Sequence, residues 1–116
     1  YYIRYLIFIN INLNIFINIM VSVKISKSTK SGKKYMAVFT RDNGRTKTTH
    51  FGSAGMDDYT KTKDKAQRKR YLDRHRKNEN WNNYESAGSL SRYILWGNST
   101  SLRENIKAYK SRFNLK

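Results

Sequence analysis

Apolar and polar side chains alternate along the first third of the chain, and the alternation comes in two kinds. Ile9, Ile11, Leu13, Ile15, Ile17 and Ile19 are interleaved with Asn10, Asn12, Asn14, Phe16 and Asn18. Period two predicts a strand rather than a helix, and so many asparagines are costly in hydrocarbon. After Met20 the same period returns with charge in it. Val21, Val23 and Ile25 alternate with Ser22, Lys24 and Ser26, the pattern of a half-buried strand. Residues 34–40 predict a second strand with Tyr35, Ala37 and Phe39 on one face and Met36 and Val38 on the other. Arg41-Asp42-Asn43-Gly44 is a turn signal, because Asn and Gly tolerate positive φ. A threonine-rich third strand is expected over residues 45–51, which completes a small antiparallel sheet.

The period then changes to that of helices. Gly52 to Gly55 is read as the crossing from sheet to helix, with Thr60 or Thr62 as helix cap and Asp64 in the first turn. One long charged helix is predicted over residues 61–79. Wound at 100° per residue, it puts Asp64, Gln67, Arg68, Tyr71, Leu72, His75, Asn78 and Glu79 on one face. Lys63, Lys65, Lys69, Arg70, Arg74, Arg76 and Lys77 fall on the other. Such a helix has no apolar stripe wide enough to hold it, so hydrogen bonds, charges or a ligand must satisfy its inner face. Trp81 and Tyr84 read as core anchors. A short helix over residues 86–96 should close at Gly97, and Ser101 to Glu104 has the spacing of a capping box. The last helix carries Leu102, Ile106, Tyr109 and Phe113 as a single apolar stripe. The two helices flanking Gly97 fit a helix-turn-helix badly, because Tyr93 stands where that motif needs a small residue.

Charge changes the picture most. The formal net charge is +16 on 116 residues, and Arg4 is the one charged side chain among residues 1–19. Self-repulsion at this level opposes compaction and favours a polyanionic partner. Aromatic residues make up 14%, too many for a disordered basic tail, so the charge decorates a folded body. Without cysteine there is neither a disulfide framework nor a thiolate zinc site.

Candidate chemistry is sparse. Asp64 with Arg68, Tyr71 with His75, and His75 with Glu79 stand at i, i+4 and are read as a structural network. The competing reading makes Asp58, Asp64, His75 and Glu79 catalytic candidates of a metal-dependent nuclease, although no known nuclease spacing is present. No resident metal or other cofactor is called for.

The run Lys34-Tyr35-Met36-Ala37-Val38-Phe39, then His50-Phe51-Gly52 and Asp58-Tyr59-Thr60, resembles a family. Asp64 with Arg68, Tyr71, Arg74, His75, Glu79 and Trp81 adds to the likeness, as does the run from Gly88 to Trp96. The chain is similar over residues 20–113 to the small basic uncharacterised proteins encoded by nucleocytoplasmic large double-stranded DNA viruses. The resemblance implies viral DNA or virion partners and supplies no activity.

The resulting expectation is an α+β fold in which a small antiparallel sheet of about three strands precedes one long charged helix and two shorter packing helices. Residues 20–116 form a single basic domain. Residues 1–19 are a leader, read as translated upstream sequence, a weak anchor or an extra strand. The expected function is nucleic-acid binding through the phosphate backbone without sequence specificity, DNA ahead of RNA. Lys65, Lys69, Arg70, Arg76, Lys77, Lys107 and Lys110 are the expected phosphate contacts. A virion structural or assembly role, touching capsid or other virion proteins, is the alternative. The place of action is inside an infected cell or in the virion, without secretion or a membrane partner.

Overall fold

The computed structural model describes residues 21–116, so the leader read from residues 1–19 lies outside the described residues. Three strands, β1 (Ser22–Lys27), β2 (Lys33–Thr40) and β3 (Thr46–Ser53), form an antiparallel meander in the order β1-β2-β3. Register follows the period-two pattern. Val23 lies opposite Phe39, and Tyr35 lies opposite Phe51, so one face of the sheet is aromatic and aliphatic. Lys24, Val38 and Thr48 pair across the opposite face, to which Thr40 and Thr46 add. The turn between β2 and β3 closes as predicted, with the Gly44 N–H donating to the Arg41 carbonyl at 2.9 Å.

Helices cover one face. They are α1 (Tyr59–Thr62), α2 (Lys65–Arg76), α3 (Ala87–Leu90), a π-helical turn that continues α3 (Ser91–Leu95), and α4 (Leu102–Arg112). The α+β architecture is therefore the one the pattern predicts. Phe39, Phe51, Leu90, Ile94 and Tyr109 are buried at its centre, with Leu72, Leu95, Trp96 and Leu115 around them. Tyr71, Trp81, Ile106 and Phe113 join this cluster half-buried, as the sequence led us to expect.

The long helix is corrected. Residues 61–79 do not form one helix. Lys63 adopts a left-handed conformation at φ 59 and ends α1, and Asp64 then caps a new helix, α2. Neither threonine is the cap. Asp58 caps α1 by accepting from the backbone N–H groups of Thr60 and Lys61, and Asp64 caps α2 through Ala66 and Gln67. Two capping aspartates six residues apart make two helix starts, each satisfying N–H groups that a single helix would have bonded internally.

The C-terminal part matches more closely. The Ser101 hydroxyl accepts from the Glu104 N–H at 3.2 Å, as the capping-box spacing requires. The Ser101 N–H goes instead to the Ser99 hydroxyl at 3.0 Å, so the cap is one-sided. Within the π-helical turn the Trp96 N–H reaches back to the Ser91 carbonyl at 2.9 Å. That wider turn carries Ile94, Leu95 and Trp96 into the interior in succession. Buried Asn105 of α4 locks it by donating to the carbonyls of Ile94 at 3.0 Å and Ser99 at 2.7 Å. At the other end, Lys116 exchanges backbone hydrogen bonds with Val21 and Val23 and covers the free edge of β1.

Candidate nucleic-acid interface

The helix α2 is held to the body by few groups, and those groups define the site. Its one fully buried residue is Leu72. Arg68 does most of the remaining anchoring. Its Nε donates to the carbonyls of Trp96 at 3.1 Å and Gly97 at 2.8 Å, and its Nη2 donates to Asn98 Oδ1 at 2.8 Å. A cation is thus fixed on the carbonyls that end the π-helical turn, where the helix dipole favours positive charge. Arg68 does not pair with the Asp64 side chain. That link of the expected network is corrected, because the Asp64 carboxylate is used by its own helix cap.

The rest of the network forms. Tyr71 stacks on Trp96 with ring centroids 4.2 Å apart and planes 7° apart. His75 stacks on the opposite side of the sequence of rings, 4.0 Å from Tyr71 at 24°. His75 Nδ1 lies 3.5 Å from Glu79 Oε2. Glu79, beyond the end of α2, rests its carboxylate against Gly88 at the start of α3, where a Cβ would collide with it. Burial pushes the Tyr71 phenol up to about 12, and the nearby Glu79 carboxylate adds to the shift while Arg74 and Arg92 oppose it.

Around this stack lies a cleft of about 680 Å³ between the end of the sheet, the turn after β3, and the helices α2 and α3. Gly52 shapes its sheet side. Its φ is +78, and a Cβ there would fall 2.8 Å from Leu95 Cδ1, so both backbone and space require glycine. The helix α2 contributes Gln67, Arg70, Tyr71, Arg74 and His75 to the lining, and β2 contributes Lys33 and Lys34. The two arginines had been assigned to the outer face of the helix; the cleft wraps far enough around α2 to include them. Lys34 is committed to buried Asp58 at 2.5 Å. Among the described residues, Lys33, Arg70 and Arg74 have no carboxylate within 4.0 Å.

The expected phosphate contacts are dispersed. Arg70 lines the cleft, Lys65 begins α2, and Lys77 caps its end. Lys69 and Arg76 share Asp73, at 2.7 and 3.7 Å, and the Lys69 hydrogen bond holds the Asp73 carboxyl below the usual range. Lys107, exposed, and Lys110, half-buried, stand on α4. Lys33, Arg74 and the stacking role of Trp96 were missed by sequence reasoning. For Arg74 the signal was its position one turn from Arg70; for Lys33 and Trp96 there was none short of the fold.

The nuclease candidates do not converge. Asp58 is buried under Lys34 and Asp64 caps α2, leaving His75 and Glu79 as a pair. Among the described residues no group of three or more His, Cys, Asp or Glu side chains is gathered as a metal site. Arg92 is structural: it lies between the rings of Trp81 and Tyr93, 5.1 and 4.9 Å from their centroids, and burial pulls its basicity down.

Residues 23–75 match a protein family described as a family of unknown function (DUF5754). The matched stretch runs from β1 to the stacked His75, so it contains the sheet and the α2 side of the cleft but not Glu79, Gly88 or Trp96. No curated protein and no solved structure matches the chain. No helix among the described residues is long and apolar enough to cross a membrane.

Proposed function

We propose that this domain binds nucleic acid through its phosphate backbone, with little preference for base sequence. In line with the resemblance to proteins of large DNA viruses, it acts on DNA ahead of RNA inside the infected cell or the virion. One observation carries the reading: α2 and its ends present Lys65, Arg70, Arg74 and Lys77 without carboxylate partners among the described residues, on a chain of net charge +16. Arg70, Arg74 and Lys77 follow one another at helical spacings of four and three residues, so they repel one another, and a polyphosphate relieves the repulsion while releasing counterions. Contacts to phosphate oxygens fix the protein on the strand and carry no base information, which is why little sequence preference is expected.

The test is the salt dependence of binding to a duplex of arbitrary sequence. The logarithm of affinity should fall linearly with the logarithm of salt, by about 0.9 per phosphate neutralised. Lys65→Ala and Lys77→Ala should each reduce that slope by roughly one and weaken binding equally across sequences. An affinity unchanged between low and moderate salt would contradict the proposal.

A further inference from the structure

The cleft offers more than a basic surface, because it sets a stack of flat rings beside unpaired cations. Trp96 is buried, Tyr71 lies parallel to it, and the sequence of rings ends at His75, whose side chain keeps 37% of its surface exposed. Among the described residues no further aromatic ring stacks on His75. Arg70 and Arg74 stand one helical turn apart on α2, an arrangement of like charges that is unfavourable without an anion. Lys33 joins them in the lining from β2, so cations reach the cleft from helix and strand alike. Of the carboxylates in the cleft, Asp57 lies 3.6 Å from Lys61, and Glu79 lies 3.5 Å from His75, a partner that carries charge only when protonated. Lys33, Arg70 and Arg74 outnumber Glu79, so the lining is positive on balance.

We propose that this cleft takes one unpaired nucleotide of a single-stranded nucleic acid, its base stacked on His75 and its phosphate held by Lys33, Arg70 and Arg74. The inference rests on the nucleic-acid reading above and goes further by naming the form of nucleic acid. The cleft volume of about 680 Å³ lies in the range of small-molecule sites, enough for a nucleotide. Every base has a π face, so a ring stack accepts any of them, which agrees with little sequence preference. In a duplex those faces are covered by neighbouring base pairs, and the stack has nothing to meet. Glu79, Gln67 and Ser91 line the same space and offer hydrogen-bonding groups to a base edge.

The experiment compares a fluorescently labelled oligothymidylate strand with a blunt duplex of the same length, bound to the full chain at one salt concentration. The strand should bind more tightly. His75→Ala should lower strand affinity about ten-fold and leave duplex affinity within about two-fold, and His75→Tyr should restore strand binding because it restores a ring. Arg74→Ala, an exposed change that spares the core, should weaken both forms because it removes a backbone cation, and the strand several-fold more than the duplex, whereas Lys107→Ala on α4 should weaken strand and duplex alike. Thymidine monophosphate should not displace the strand at matched concentration; displacement would make a free nucleotide the occupant and overturn the assignment to a strand. Binding in which His75→Ala and Arg74→Ala cost the strand no more than the duplex would overturn the cleft proposal while the backbone reading stands. Binding to neither form would overturn both.

Discussion

The sheet with α4 and the helix α2 are held in place by opposite means. Between the sheet and α4, contact is apolar and aromatic. Phe39 and Phe51 are fully buried, and Tyr109 is buried with its hydroxyl donating to the Tyr84 carbonyl at 2.5 Å. Tyr84 packs on Phe39 and on Phe113, with centroids 5.6 and 5.7 Å apart. On α2 one leucine is buried, and the helix is positioned by a guanidinium on two carbonyls and by one ring stack. The first arrangement is insensitive to salt, because its contacts are apolar and aromatic. The second depends on few directional contacts, and it leaves the cations on the rest of α2 available. In this molecule stability and the candidate interface are therefore placed on different elements.

The comparison breaks most severely at the core. Phe39→Ala should destabilise the whole domain by about 3–5 kcal/mol, measured by chemical denaturation, since a fully buried ring leaves a cavity under the sheet. Arg68→Ala should cost less, roughly 1.5–3 kcal/mol, because hydrogen bonds from a charged donor to Gly97 and Asn98 are lost. Its diagnostic is regional. Hydrogen exchange should accelerate along α2 and the Gly97 loop while the amides of β2 keep their protection. Equal acceleration in both regions would show that α2 is not held separately.

Asp64→Ala should cost about 1 kcal/mol, the usual loss for a removed N-cap, with fraying confined to the first turn of α2. A loss several times larger would mean that the carboxylate does more than cap. The smallest effect at neutral pH belongs to Tyr71→Phe, which keeps the ring stack. Its signature is alkaline. The folded phenol titrates at about 12 and a free tyrosine at about 10, so the folded protein retains a proton that the unfolded chain releases. Stability from this source is full below about pH 10 and is lost as pH rises through about 12. Tyr71→Phe should therefore melt like the parent at pH 7 and lose less stability between pH 10 and 12. Tyr109, also raised by burial, keeps the variant's curve from becoming flat.

How much of this was legible in the sequence divides along the same line. The strands, the turn at Asn43-Gly44 and the cap at Ser101 were legible because period, turn chemistry and capping are local properties. The stripe on α4 was legible for the same reason. The break at Lys63 was not. Thr60, Thr62 and Asp64 all suit a cap, and the pattern does not show that Asp58 and Asp64 each cap a separate helix on either side of a left-handed Lys63. The partner of Arg68 lies 28 residues away in the chain, beyond any i, i+4 rule, so proximity suggested Asp64 in error. Asn105 was passed over because a polar residue in an amphipathic helix reads as exposed, whereas here three hydrogen bonds satisfy it inside. For the site, the basic and aromatic residue types were visible. Which of them share a cleft depends on where β2 and α3 lie around α2, and a helical wheel holds no such information.

The central claim is that α2 offers its cleft side to a nucleic acid while the core stands apart. Titrating isotopically labelled protein with an oligothymidylate strand, and following amide and indole shifts by NMR, tests it most directly. The account predicts the largest changes at Lys33, Gly52, residues 67–75 and the Trp96 indole, with β1 and the amides of Phe39 and Tyr109 nearly still. Changes centred on the outer face of the sheet or on α4, with the Trp96 indole unmoved, would contradict it.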